Sequence, residues 1–157
     1  MISHLIIAVD DMPDRYTHLR RLVAPMGWLV VVVEHPTELE AQILDSPIPV
    51  LAVLLDHDLR PVWADVKTGQ LLRNVAPNAK RWGYDDVRVY TGEDYARDIL
   101  AARSTPVIVT SANQGGAQRI AAVLREFETP HAVISCVDVD HERRWVGQLA
   151  VWAANDR

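Results

Sequence analysis

Five apolar runs recur along the chain, and each is followed by a segment in which apolar residues have helical spacing. The runs consist mainly of Val, Ile and Leu, which is typical of strands that are buried on both faces of a parallel sheet. They cover 4–9, 28–33, 50–55, 106–110 and 131–137. Four of the predicted helices cover 14–26, 93–103, 116–128 and 142–154. The remaining one, second in chain order, is capped by Thr37 and ends near Pro47. This alternation predicts an α/β fold with helices on both faces of the sheet.

Five strand–helix units in 157 residues suit a flavodoxin-like three-layer sandwich. The expected strand order in its five-stranded parallel sheet is 2-1-3-4-5, because right-handed crossovers leave few other arrangements. We expect one domain over residues 1–157. In that order, strands one and three are neighbours, and ligands bind at the carboxyl ends of the strands beside them.

About thirty residues after strand three do not fit a plain connection to the next helix. Residues 62–66 and 71–75 flank Gly69, which predicts a β-hairpin insertion at about 60–90, followed by a loop that contains Lys80 and Arg81. The insertion carries a positive balance of charge, whereas the rest of the chain is acidic, so nucleic-acid contact through it is one interpretation. Four aromatic residues either stack on a base or form a small core under the hairpin: Trp63, Trp82, Tyr84 and Tyr90.

Composition narrows the class of protein. The chain is 49% hydrophobic and 24% charged, as in ordinary globular domains, and no apolar stretch approaches the roughly 20 residues that span a membrane. The net charge of −5 argues against a general nucleic-acid binder. A single cysteine, Cys136, and no recognisable signal peptide lead us to expect a cytoplasmic protein in which this thiol is structural.

Two acidic clusters follow neighbouring predicted strands. Asp10 and Asp11 come directly after strand one, and Asp56, His57 and Asp58 come directly after strand three. We therefore expect these carboxylates to meet at one edge of the sheet. Asp10, Asp11 and Asp56 form an oxygen-rich set suited to a divalent cation, in first place Mg²⁺ and also Mn²⁺. The alternative is that some of them cap helices or turns.

His57 lies between two aspartates, and a histidine beside a metal or phosphate can act as a ligand, a general acid or a phosphate donor. In an extended segment Asp56 and Asp58 would share one side and His57 would face the other. We predict Asp56, His57 and Asp58 as the catalytic group. A histidine that merely packs in a turn is the alternative.

Strand four ends in small and polar residues before a helix, a pattern that lets the backbone approach an anion at a helix N-terminus. The predicted phosphate-binding residues are Ser111, Asn113, Gly115 and Gly116, with Thr91 before the preceding helix. The alternative is that Asn113 and Thr91 only cap their helices and that the glycines form a turn.

These residues resemble a family. The acidic pair after strand one, Asp56 after strand three and Ser111 after strand four are similar to the pattern of response-regulator receiver domains. In that family, such positions hold Mg²⁺ and the strand-three aspartate accepts a phosphoryl group. A receiver domain also has a lysine after strand five, and here Ser135, Cys136 and Asp138 stand in that region.

The chain more closely resembles the divergent cyclic-phosphate processing receiver-like domains. Their L-D-H-D-L string is found at 55–59, T-G at 91–92, and S-x-N at 111–113 with Gly116 downstream. Two positions depart from their pattern, because Thr110 stands in place of a histidine and Arg60 in place of a glycine.

This resemblance implies a metal-dependent phosphoesterase, or another phosphate-processing domain, that acts on a nucleotide or cyclic phosphate. Its partner would be a phosphorylated small molecule, a nucleotide or an RNA end. Two other functions remain open: a signalling receiver phosphorylated on Asp56, and a non-catalytic module that binds a nucleotide or a protein.

Overall fold

A computed structural model of the protein describes residues 1–59, 62–72 and 87–156. Eight strands are formed over these residues: β1 His4–Val9, β2 Trp28–Val33, β3 Val50–Leu55, β4 Val62–Asp65, β5 Leu71–Leu72, β6 Val87–Tyr90, β7 Val107–Val109 and β8 His131–Val133. The helices are α1 Thr17–Val23, α2 Pro36–Asp45, α3 Gly92–Tyr95, α4 Gln114–Glu126 and α5 His141–Asn155. The turns Pro13–Tyr16 and Ala24–Met26 flank α1.

The main sheet is parallel and has the order β2-β1-β3-β7-β8. Val9 at the end of β1 is paired with Leu55 at the end of β3, and Leu55 is paired with Val109 at the end of β7. The predicted flavodoxin-like fold and its strand order are therefore confirmed. This register brings the residues that follow β1, β3 and β7 to one edge of the sheet.

Alternating side chains of the central strands fill two separate cores, which makes the domain a three-layer sandwich. Ile7 and Leu55 point to the side that α2, α3 and α4 cover. Ile6 and Leu54 point to the opposite side, where Trp145 of α5 is completely buried. Because both faces of β1 and β3 are covered, these strands carry apolar residues at every position except His4 at the start of β1.

The insertion after β3 contains the predicted hairpin. β4 and β5 are antiparallel, and Gly69 in their connection has a φ of 68°, a conformation that glycine adopts without strain. β6 also pairs antiparallel with β4, so the insertion is a three-stranded sheet where only a hairpin and a loop were predicted. At four residues, β6 is too short for its apolar pattern to stand out in the sequence. Residues 73–86, which include Lys80, Arg81, Trp82 and Tyr84, lie outside the described residues, as does Arg60.

Two aromatic residues of the insertion lie within the described segments. Tyr90 is buried and its hydroxyl donates a hydrogen bond of 3.0 Å to Asp98. Trp63 is half-buried in β4. Tyr90 therefore packs in the core that Ile7 and Leu55 share with α2, α3 and α4, and not in a separate small core under the hairpin.

Three local predictions need correction. His35, not Thr37, caps α2, and its ring nitrogen accepts a hydrogen bond from the backbone N–H of Thr37. Pro36 at the first helical position fixes φ, and the helix starts two residues earlier than a cap at Thr37 implies. The helix predicted over 93–103 is irregular, because wide π-type turns follow α3 over Ala96–Leu100. The apolar spacing over 93–103 correctly predicts which side of this segment is buried, but it does not distinguish α-helical turns from π-type turns.

The strand predicted over 131–137 is also shorter than expected. β8 ends at Val133, and the backbone turns where the N–H of Ser135 donates to the carboxylate of Asp138. The apolar residues Ile134 and Cys136 still contact the main sheet through backbone hydrogen bonds to Val109 and Thr110. Burial therefore continues beyond the end of the strand.

Candidate functional site

The carboxyl ends of β1, β3 and β7 place Asp10, Asp56 and Thr110 side by side. The backbone N–H of Asp56 donates to the carbonyl of Val9 at 3.4 Å, and that of Thr110 donates to the carbonyl of Leu55 at 2.9 Å. All three residues are buried. The predicted approach of the two acidic clusters is thus present for Asp10 and Asp56.

Arg15 lies between these two aspartates. Its Nη1 is 2.7 Å from Oδ2 of Asp10 and 3.2 Å from Oδ2 of Asp56. The residue comes from the Pro13–Tyr16 turn that follows the acidic pair. Two carboxylates on adjacent strands would repel each other in a buried setting, and the guanidinium between them removes that conflict.

Asp10 has further donors. The hydroxyl of Tyr16 donates to its Oδ2 at 2.8 Å, and the backbone N–H of Met12 donates to its Oδ1 at 2.8 Å. Burial raises the pKa of Asp10, and the hydrogen bond from Tyr16 opposes that shift. Burial, followed by the neighbouring Asp10, raises the pKa of Tyr16 well above its usual value, so its hydroxyl remains a donor.

The charge on Arg15 is secured by its surroundings. Burial would lower the pKa of Arg15, but its neighbours, of which the carboxylate of Asp10 has the largest effect, together raise the pKa. Arg15 was not among the site residues predicted from the sequence. The available signal was a basic residue four positions after Asp11, at the start of a helical turn that leads away from the site.

The second oxygen of Asp56 organises the turn after β3. Oδ1 accepts from the backbone N–H of His57 at 2.7 Å and from that of Asp58 at 3.4 Å. Asp56 is therefore satisfied by backbone donors on one oxygen and by Arg15 on the other. Because the chain turns here, the extended alternation predicted for 56–58 does not apply.

The aspartates as arranged do not fit a divalent cation. A cation of this kind needs several free oxygen ligands, and the facing oxygens of Asp10 and Asp56 are both held by Arg15. Among residues 1–59, 62–72 and 87–156, Asp11 makes no ion pair with Arg15, and no three His, Cys, Asp or Glu side chains are grouped to hold a metal ion. Binding of Mg²⁺ or Mn²⁺ by Asp10, Asp11 and Asp56 stays a prediction.

His57 contacts three charged side chains, which form a second polar group beside Asp10, Arg15 and Asp56. Its Nδ1 is 2.9 Å from Oδ1 of Asp58, so the two side chains that were expected on opposite sides are in contact. Its Nε2 is 3.3 Å from Nη2 of Arg119 and 3.7 Å from Oε1 of Glu93. The hydrogen bond with His57 lowers the pKa of Asp58. An imidazole whose Nδ1 is fixed by a carboxylate presents Nε2 for proton transfer or ligand contact.

Two glycines make room for this histidine. A Cβ on Gly116 would lie 2.3 Å from Cγ of His57, and a Cβ on Gly92 would lie 2.8 Å from the carbonyl oxygen of Asp56. Real Cβ atoms do not come this close to neighbouring atoms, so the close packing at both positions requires glycine. Gly116, which the sequence suggested for phosphate binding, contacts the His57 ring.

The other predicted phosphate-binding residues lie at helix starts. Asn113 caps α4 by accepting from the N–H of Gly116 at 3.0 Å, and its side-chain amide donates to Asp58 at 3.3 Å. The hydroxyl of Ser111 accepts from the N–H of Asn113 at 3.1 Å. The N–H of Thr91 donates to Asp94 at 2.7 Å, as in a capping box. Phosphate binding by these residues stays a prediction.

A pocket of about 410 Å³ opens beside the start of α4. Ser111 and Gly115 line it on one side, and Ser135 and Asp138 line it on the other. It therefore joins two of the predicted phosphate-binding residues to the turn after β8, and its lining residue Ser111 directly follows Thr110.

The segment after β8 carries a cysteine, Cys136, and no lysine. Cys136 is half-buried, and its backbone N–H donates to the carbonyl of Thr110 at 2.8 Å. Burial raises the pKa of Cys136. A raised pKa disfavours the reactive thiolate, and the structural role expected for Cys136 stays a prediction.

Comparison with solved structures identifies the fold. The response regulator receiver domain protein from Methanospirillum hungatei matches with a TM-score of 0.57 and 12% identity over 99% of both chains. The signal receiver domain of a repressor protein from Vibrio parahaemolyticus matches with a TM-score of 0.59 and 15% identity over 99% of this chain and 96% of that one. The signal receiver domain of a modulated diguanylate cyclase from Desulfovibrio desulfuricans has a TM-score of 0.55 and 16% identity, and 99% of each chain is covered.

The chain therefore has a receiver-like fold, and at these identities the likeness extends to the fold alone. Neither the protein-family models nor the curated protein sequences contain a match to this chain. Throughout the described segments, no helix combines the length and the apolar character needed to cross a bilayer.

Proposed function

We propose that the protein is a receiver-type signalling domain in which Asp56 is the regulated side chain. The observation that carries this proposal is the position of Asp56, which follows β3 beside Asp10 of β1 and Thr110 of β7 at one edge of a receiver-like sheet. The similarity to receiver domains over nearly the whole chain supports the same function.

The chemistry is phosphoryl transfer to the carboxylate. An oxygen of Asp56 attacks the phosphorus of a small phosphodonor, and a new P–O bond forms while the bond to the leaving group breaks. The leaving group keeps the electron pair of that bond, and the product is an acyl phosphate. Arg15 contacts Oδ2 of Asp56 and would meet the added negative charge.

The proposal is tested by incubation with acetyl phosphate and measurement of the intact mass. We expect an increase of one phosphoryl group in the unmodified chain and none in the Asp56→Asn variant. Asp58→Asn is the matched control, because Asp58 lies two residues away and is exposed. Failure of the unmodified chain to gain mass, with and without Mg²⁺, would contradict the proposal.

A second candidate function is hydrolysis of a nucleotide or cyclic phosphate. The observation that favours it is the contact of 2.9 Å between Nδ1 of His57 and Asp58, which resembles the histidine–carboxylate pairs used in general acid–base chemistry. We propose to test it with a panel of cyclic nucleotides and phosphorylated RNA ends, with and without Mg²⁺ or Mn²⁺. Turnover that is lost in His57→Gln and retained in Arg21→Ala is the expected result for an enzyme. No turnover of any substrate would eliminate it.

Contact of the insertion with nucleic acid stays a prediction. Its basic residues Lys80 and Arg81 lie outside the described residues. A nucleotide or RNA end is proposed as a partner only as the substrate of the second candidate function.

A further inference from the structure

We infer that Arg15 takes the place of a divalent cation at this site, so that metal binding and the Arg15 ion pairs exclude each other. The inference concerns the site of the proposed function, but it holds whether or not Asp56 is phosphorylated. It rests on the contacts of Arg15 and on the surroundings of the two aspartates.

The first step is the position of the guanidinium. A single nitrogen, Nη1 of Arg15, contacts Oδ2 of Asp10 at 2.7 Å and Oδ2 of Asp56 at 3.2 Å. Bridging two carboxylates on adjacent strands is what a bound cation would do at this edge. Oδ2 of Asp10 and Oδ2 of Asp56 both contact this one nitrogen, so a metal ion could not bind both oxygens while Arg15 remains.

The second step is that Arg15 is fixed rather than free to swing into solvent. Its side chain is only 26% exposed, and its Nη2 lies 3.2 Å from the sulfur of Met12. Its backbone N–H donates to the carbonyl of Met12 within the turn that Pro13 begins. The neighbouring Tyr16 contacts the same oxygen of Asp10, so two consecutive residues of one turn hold this carboxylate.

The third step is the balance of charge. The side chain of Asp10 is completely buried and that of Asp56 is 9% exposed. Buried charges of like sign need a compensating charge close by. Arg15 supplies it from within the chain, which makes a metal ion unnecessary for holding β1 and β3 together at this edge.

The test is Mn²⁺ binding by the full chain, measured by electron paramagnetic resonance of the free ion. We expect the Kd of Arg15→Ala for Mn²⁺ to be lower than that of the unmodified protein by a factor on the order of ten or more, because two neighbouring carboxylates lose their cation. Arg21→Ala is the matched control, since Arg21 is an exposed arginine of α1, and it should behave as the unmodified protein. Adding Asp56→Asn to Arg15→Ala should abolish the gained binding.

Two outcomes overturn the inference: Mn²⁺ binding by the unmodified protein that equals binding by Arg15→Ala, and a folded Arg15→Ala variant that gains none. Circular dichroism establishes that each variant is folded. If Arg15→Ala does not fold, Arg15→Gln, which keeps much of the size of the side chain without its charge, should gain Mn²⁺ binding and replaces Arg15→Ala in both comparisons. Loss of phosphorylation at Asp56 would leave these measurements unchanged, so the two proposals fail separately.

Discussion

The imidazole of His57 lies directly against the backbone of Gly116, so closely that a Cβ on this glycine would be 2.3 Å from Cγ of the ring. The contact joins the turn after β3 to the first turn of α4. It also holds the ring where Nδ1 reaches Asp58 and Nε2 reaches Arg119. Gly116 therefore has a defined structural role, which is to fix the position of His57.

Replacing Gly116 by alanine should displace the His57 ring. We expect Gly116→Ala to lower the free energy of unfolding by about 1–3 kcal/mol, the usual cost of overpacking a close contact. Urea denaturation measures the change. Gly147→Ala is the control, because Gly147 lies in α5 with no atom within 4 Å of an added Cβ, and alanine favours a helix by roughly 0.5–1 kcal/mol. Equal stability of Gly116→Ala and the unmodified protein would show that the ring can move without cost.

The hydroxyl of Tyr16 should contribute to stability through Asp10. Tyr16→Phe removes a donor 2.8 Å from a completely buried carboxylate, and we expect the free energy of unfolding to fall by roughly 1–3 kcal/mol. Tyr95→Phe is the matched control, since Tyr95 is equally buried and its hydroxyl has no hydrogen-bond partner among the described residues. Thermal or urea unfolding compares the two variants. A larger loss for Tyr95→Phe than for Tyr16→Phe would contradict this account of Asp10.

The contact between His57 and Asp58 should be visible as a pH dependence. Because the pKa of Asp58 is lowered in the folded protein, its contribution to stability is present above the pKa of an unfolded aspartate, about 4. It is lost as the pH falls through the lower folded value. Asp58→Asn should therefore be less stable than the unmodified protein near neutral pH, and the difference should disappear at acidic pH.

Urea denaturation from neutral to acidic pH measures this difference. His57, Asn113 and Arg119 all favour the charged form of Asp58, so the variant tests their combined effect. Asp14→Asn serves as the control, because Asp14 is an exposed aspartate that precedes the bridging Arg15. A deficit of Asp58→Asn that stays constant at every pH would assign it to packing rather than to the charge.

The strand order of the main sheet could be predicted because its central strands are buried on both faces. β1, β2 and β3 begin and end at the residues that the apolar pattern gave. The meeting of Asp10 and Asp56 followed from that order alone. The third strand of the insertion could not be predicted, since only Tyr90 of its four residues is buried, Arg88 and Val89 are both exposed, and the strand depends on pairing with β4.

The charges at the site were harder to predict than the fold. Arg15 lies only five positions after Asp10, yet its direction depends on the turn that Pro13 starts, and sequence spacing does not fix the turn. The opposite sides expected for His57 and Asp58 were wrong, because the extended alternation of 56–58 is replaced by a turn that Asp56 itself stabilises. Asp10, Asp56 and His57 were expected to bind a ligand, and in the structure each contacts a charged side chain of the protein itself.

Asn113 offers a direct test of capping against ligand binding. Its Oδ1 accepts from the N–H of Gly116, so Asn113→Ala should lower the free energy of unfolding by about 1 kcal/mol, as for other helix caps. Asn113→Asp keeps an acceptor at this position but replaces the donor to Asp58 with a second negative charge, and we expect an intermediate loss. Gln114→Ala is the control, since Gln114 is exposed in the first turn of α4. Urea denaturation with and without inorganic phosphate separates the two roles: a cap gives the same loss in both, whereas a loss that appears only with phosphate would assign Asn113 to ligand binding.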